Sequence, residues 1–289
     1  MKKIQILEAL TAAGACSTGI QRFLTFNGKI EDYAVENPKD ILWAYVRCEV
    51  IRPIIDRMVI ERKPALDWAA EKEPYYALSV RAGKYLKTKT LETCAEQFPK
   101  NALEAYEDLP LWLLTQIANL HPEEALRYAY RALSAQTLKE CALAAPEAAL
   151  RFAKRVLPPE ILDMCAAADP VAALTYAEEK LNKKRLQSCI KAAPAVALEC
   201  ALISIPQNLL GYCFENAPKE ALRYALHKMA TAQIEQCAMK EPVTALKYAA
   251  NFLTPSILKQ CAEQHPKVAL EYAGSYMPAT LLQWCKEQI

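Results

Sequence analysis

The chain has 289 residues, 53% of them hydrophobic and 24% charged, with a formal net charge of +2. That composition excludes a disordered chain, which has too little apolar surface to bury, and the balanced charge excludes a globally basic nucleic-acid binder. No apolar run reaches the roughly 18 residues a membrane span needs, so no membrane partner is expected and the cytoplasm is the expected location.

Lys2-Lys3 and a mildly apolar stretch ending Ala13-Gly14-Ala15-Cys16 have the outline of a lipoprotein signal. Gln5 and Glu8 interrupt it, and Ile4, Leu7 and Leu10 fit one face of an amphipathic helix instead. Asn27-Gly28 marks a turn, and Asn37-Pro38 starts a helix running through Ile41, Leu42, Trp43 and Ala44. Residues 1–73 therefore read as an irregular helical N-terminal segment.

From Pro122 to Ile289 the sequence divides into seven consecutive blocks of 24 residues, opened by Pro122, Pro146, Pro170, Pro194, Pro218, Pro242 and Pro266. Each carries Ala-Leu three residues after the proline and a cysteine at its twentieth position. Two looser blocks begin at Pro74 and Pro99. Proline suits a first helical turn, whose N–H groups have no intrahelical acceptor. In the block from Pro146, Ala149, Leu150, Ala153 and Leu157 lie on one face of a helix of about eleven residues. Pro158-Pro159 then breaks the chain, and Ile161, Leu162, Cys165 and Ala166 form the apolar face of a second helix. Ser134, Asn182 and Thr254 occupy the slot of Pro158 as N-caps, and Asp169 can cap the helix at Pro170. Neither helix is stable alone. The expected fold is all-α: an alpha-alpha solenoid of about nine 24-residue hairpins over residues 74–289, following the 1–73 segment.

The pattern P-x-x-A-L-x-Y-A…L…L-x-x-C-A, as in PEEALRYAYRALSAQTLKECALAA from Pro122, resembles short alpha-helical repeats of bacterial and viral proteins of unknown function. The cysteine departs from their usual pattern. Ala13-Gly14-Ala15-Cys16…Ile20-Gln21-Arg22-Phe23, followed by Leu42-Trp43-Ala44, is similar to an N-terminal module of phage and bacterial putative immunity proteins. Neither resemblance brings a catalytic residue; the second implies a setting in immunity or counter-defence.

Eight of the eleven cysteines share the repeat slot, from Cys94 through Cys141 to Cys285. No CxxC spacing occurs, one thiol per layer cannot supply four zinc ligands, and layers about 9–10 Å apart exceed disulfide reach. Buried packing thiols are expected. Cys200 differs, standing where other blocks carry Tyr128, Phe152, Tyr176, Tyr224, Tyr248 and Tyr272, and is the one read as potentially reactive. Cys261 and His265 have the spacing of a nucleophile–base pair, but read better as a core thiol beside a turn residue. With no glycine-rich phosphate loop, HExxH or nucleophile elbow, no catalytic, cofactor or metal residues are assigned and a non-enzyme is expected.

The surface carries more. The sixth block position stacks Arg127, Arg151, Thr175, Glu199, Arg223, Lys247 and Glu271 beside the aromatic seventh position. Arg131, Lys154 and Arg155 add to a basic patch, Leu202 and Ile203 are apolar where other blocks are charged, and Leu111-Trp112-Leu113-Leu114 is set against a turn elsewhere. Candidate contacts are thus Arg127, Arg131, Arg151, Arg155, Tyr128, Tyr176, Leu202, Ile203 and Trp112. An interrupted stripe of both signs favours a protein or peptide partner; the alternative is a nucleic acid gripped by arginines and stacked tyrosines.

Overall fold

The computed structural model describes residues 3–289, and those residues are predominantly helical; the strands among them are Val59–Ile60 and Lys63–Pro64. The fold class is all-α. The chain divides into two compact units, Met1–Ala145 and Pro146–Ile289.

In the second unit the 24-residue period is visible in the backbone. Second helices of ten residues recur at Pro159–Ala168, Lys183–Ala192, Gln207–Asn216, Thr231–Lys240 and Pro255–Gln264. Each packs against its own block's first helix and against its equivalent in the next block. First helices such as Pro170–Tyr176 and Pro218–Tyr224 span seven residues, not the eleven expected. The helix stops at a buried alanine, Ala177 or Ala225, whose φ of −134° or −119° lies outside the helical region. A short 3₁₀ turn, Glu178–Lys180 or Leu226–Lys228, completes the connection. In the blocks from Pro146 and Pro266 the winding widens to i→i+5 over Ala149–Ala153 and Ala269–Ala273.

Ala173, Ala197, Ala221 and Ala245 at the fourth position are fully buried, and so are Leu198, Leu222 and Leu246 beside them. Asp169 caps its helix by accepting the Ala172 N–H at 2.9 Å, and Ser134 and Asn182 cap theirs by accepting from Thr137 and Arg185. Thr254, read as a cap, makes no such bond; Pro255 and its fixed backbone start that helix.

The recurrent cysteine has a role that spacing alone did not reveal. The Cys189 thiol donates to the Ala166 carbonyl at 3.4 Å, Cys237 to Phe214 at 3.5 Å and Cys261 to Ala238 at 3.8 Å. In the first unit Cys94 reaches Ala70 at 3.6 Å and Cys141 reaches Ala118 at 3.4 Å. Every acceptor lies four residues before a block-opening proline: Pro74 for Ala70, Pro122 for Ala118, Pro170 for Ala166. Proline has no N–H, so that carbonyl loses its intrahelical donor inside a packed interface. The thiol one block later replaces the missing donor, a reason for cysteine rather than alanine at this slot. All eleven cysteines are free.

The first unit holds the blocks from Pro74, Pro99 and Pro122 together with the stretch ahead of them. Leu111–Leu114 form the first turn of the helix Leu111–Leu120, so they align with the second helices of other blocks, not with the turn the sequence reading assigned. That reading was misled because the block from Pro99 is one residue short.

Ahead of Pro74, helices span Lys3–Ala12, Ser17–Thr25, Ile30–Glu36, Pro38–Arg47 and Ala65–Lys72. Ile6, not Ile4, is the buried residue of the first. Pro38–Arg47 packs on Ala65–Lys72, which in turn packs on the first block's helices Pro74–Ser79 and Thr88–Gln97. Between them the two short strands pair antiparallel through Glu61 and Arg62, both at positive φ (49° and 65°). Neither residue type announces that conformation.

Candidate functional site

The sixth and seventh block positions build a ladder of cations over aromatic rings. In the second unit the Arg151 guanidinium stands 5.0 Å from the Phe152 ring centre and 5.3 Å from that of Tyr176, one block on. Arg223 stands 5.0 Å from Tyr224 and 6.0 Å from Tyr248, and the Lys247 ammonium 4.8 Å from Tyr272. Each cation thus spans from its own block toward the ring of the next, with the charge held over the electron-rich face. Glu199 interrupts the ladder and accepts the Tyr224 hydroxyl at 3.0 Å, which raises that phenol's pKa. Tyr176 and Tyr224 are half-buried, whereas Tyr248 and Tyr272 are exposed. In the first unit Arg127 lies 5.2 Å from the ring of its neighbour Tyr128, and Lys100, at the second position of the preceding block, lies 5.9 Å from the same ring.

Of the remaining expected contact residues, Arg131 sits over its neighbour Tyr130 and bonds its hydroxyl at 3.1 Å. Arg155 is exposed. Lys154, read as part of the same basic patch, is tied to the Tyr176 carbonyl and lies 3.3 Å from Glu179, so its charge is largely spent within the unit. Ile203 is 94% exposed, the most exposed large apolar residue of the second unit, while Leu202 is half-buried. Trp112 and its neighbour Leu111 are both exposed in the first unit. Cys200 is exposed. The Cys261 thiol is buried on the Ala238 carbonyl with its pKa raised by desolvation, a core thiol rather than a nucleophile.

A second site lies ahead of the repeats, and sequence reasoning did not assign it. The helix Lys3–Ala12 ends in a Schellman turn: Ala15 N–H bonds the Leu10 carbonyl, Gly14 N–H bonds that of Thr11, and Gly14 takes φ +83°, where a side chain would be strained. The turn sets Cys16 as N-cap of Ser17–Thr25, its sulfur accepting the Gly19 N–H at 3.4 Å and lying 3.3 Å from the Thr18 hydroxyl. The Thr18 hydroxyl and then the Gly19 N–H favour the thiolate, and the Cys16 pKa falls below its ordinary value.

Cys16 lines a cavity of about 340 Å³. Ile6, Phe23, Ile41, Ile51, Ile55 and Met58 form its buried apolar wall, while Cys16, Arg22 and Lys39 are exposed. Arg22 pairs with Asp40 at 2.7 Å, and Asp40 also accepts the buried Tyr33 hydroxyl at 2.6 Å. Burial, then that bond, raises the Tyr33 pKa strongly. Both parts of the N-terminal sequence resemblance meet here, since Gly14, Ala15, Cys16, Arg22 and Phe23 line the cavity with Trp43 and Ala44. The legible signal was Cys16 ahead of Ser-Thr-Gly at the start of an amphipathic helix, an N-cap with sulfur in place of oxygen.

Among the described residues no group of three or more His, Cys, Asp or Glu could hold a metal ion, and no helix is long and apolar enough to cross a membrane. Compared with known proteins, the chain matches no protein-family model, no curated protein and no solved structure.

Proposed function

We propose that this chain is a non-enzymatic helical-repeat interaction protein, an alpha-alpha solenoid of nine hairpins that binds a protein or peptide in the cytoplasm. The observation that carries the reading is the ladder of Arg151, Arg223 and Lys247 over the rings of successive blocks. It presents aromatic faces and cations on the 24-residue repeat, interrupted at Thr175, Glu199 and Cys200, and such residues dominate protein-recognition surfaces. Block-to-block packing in the second unit supports the stacked arrangement, and stacked repeats characteristically offer extended binding surfaces. The mixed signs along the sixth position, with Glu199 and Glu271 among the cations, suit a polypeptide of alternating charge better than a continuous phosphate chain.

The resemblance of the N-terminal segment to an immunity-protein module supports a setting in phage–bacterium immunity or counter-defence. A nucleic acid held by the same arginines and tyrosines is the second reading, favoured by the stacking geometry itself.

Capture on the immobilised chain from a lysate of its native host separates the two. The expected result is a retained protein that survives nuclease treatment and is lost when Arg151, Tyr176, Arg223 and Tyr248 are all changed to alanine. Retention abolished by nuclease, or falling steeply between roughly 50 and 200 mM salt, would replace the protein partner with a nucleic acid.

A further inference from the structure

The cavity formed by the N-terminal stretch and Tyr76 of the first block is walled by buried apolar side chains, unlike the space between Gln207–Asn216 and Thr231–Lys240, which is lined by Glu215, Gln233, Gln236 and Lys240, and it is polarised. Its wall of Ile6, Ile41, Ile51, Ile55 and Met58 is buried, and its charged lining, Arg22, Lys39 and Asp40, carries two positive charges against one negative. Asp40 is already engaged by both Arg22 and the Tyr33 hydroxyl. The Lys39 ammonium, 3.4 Å from Glu73, keeps more than half of its side chain exposed. An apolar pocket of at least about 300 Å³ with a few convergent polar groups is the usual form of a small-molecule site. At about 340 Å³ it is roughly twice the size of an engineered apolar cavity that holds benzene, which suits a ligand of about a dozen non-hydrogen atoms.

We infer that this cavity binds a small amphipathic anion, a medium-chain carboxylate whose apolar tail fills the buried wall and whose head meets Arg22 and Lys39 beside Cys16. The inference concerns the first unit alone and does not rest on the partner-binding reading.

Cys16 supplies the readout and Cys200 the control. Both are exposed, whereas the repeat-slot thiols are buried. The full chain is alkylated with iodoacetamide at neutral pH, and each cysteine is followed by mass spectrometry with decanoate, octanoate or decanol present. Decanoate is expected to slow Cys16 alkylation at least tenfold and to leave Cys200 unchanged. Octanoate, two methylenes shorter, is expected to need about a tenfold higher concentration. Ile30→Trp and Leu10→Trp, changes at half-buried wall positions, should abolish protection while the melting temperature shows the chain still folded. Calorimetric titration of decanoate into the unchanged chain reads binding independently of the thiol. No calorimetric binding and no protection by millimolar decanoate, or equal slowing of Cys16 and Cys200, would overturn the site; protection by decanol equal to that by decanoate would overturn the anionic head.

Discussion

The stretch ahead of Pro74 and the blocks from Pro146 onward use helices of similar length to opposite ends. In the blocks, alanine at the fourth position and leucine at the fifth fill the apolar core, thiols are buried against the preceding layer, and the space of about 460 Å³ left between Gln207–Asn216 and Thr231–Lys240 is rimmed by Glu215, Gln233, Gln236 and Lys240. Ahead of Pro74 the helices follow no period, a cavity of about 340 Å³ stays open, and the Cys16 thiol faces solvent. Repetition solves packing once and reuses the solution, whereas an irregular assembly can leave a shaped space. Regularity in this chain goes with a filled apolar core, and the pocket with a buried apolar wall lies where the pattern fails.

Among single substitutions, the one with most to lose lies on the packed side of that contrast. Leu222→Ala removes a fully buried side chain from the second unit, and urea unfolding should show a loss of about 2–5 kcal/mol. Leu10→Ala, at a half-buried wall of an existing cavity, should cost well under half as much, because its loss enlarges a space that is already open. Equal losses would remove the distinction.

Next is the response to alkali. Burial raises the Cys94, Cys141, Cys165 and Cys213 thiols to about 11, and shifts Cys189, Cys237, Cys261 and Cys285 in the same direction. In the unfolded chain these thiols ionise near 8.5. The folded chain therefore holds more protons between those values. The stabilisation from neutral thiols is complete below about pH 8.5 and is lost as pH rises through about 11, at up to about 1.4 kcal/mol per thiol for each pH unit. Thermal unfolding at pH 7.5, 9 and 10 should show a melting temperature that falls steeply at the top of the series. A flat profile would mean the repeat thiols are not desolvated.

The smallest effect sharpens the account of the repeated cysteine. Cys237→Ala leaves the Phe214 carbonyl, deprived of its helical donor by Pro218, without the thiol as well, and is expected to cost about 1–3 kcal/mol. Cys200→Ala at an exposed position should stay within about 0.5 kcal/mol. Denaturant midpoints of the two variants decide whether the slot or the residue type matters.

The helical class, the 24-residue period, the helix starts at proline, and the caps at Asp169, Ser134 and Asn182 can be read from the residue order alone, because they depend on residues a few positions apart. The candidate contacts Arg127, Tyr128, Arg151 and Tyr176 were legible for the same reason, since a fixed repeat carries equal positions to equal places. It took the packed structure to show that Arg151, Arg223 and Lys247 reach the ring of the next block, that Lys154 is already occupied by Glu179, and that Cys237 answers the carbonyl Pro218 leaves bare. The packed structure also decided that Cys16, Arg22, Lys39 and Met58 face one cavity. Those residues are spread from position 16 to position 58 of a stretch without a period, and no local spacing encodes a meeting that only the packing of whole helices brings about.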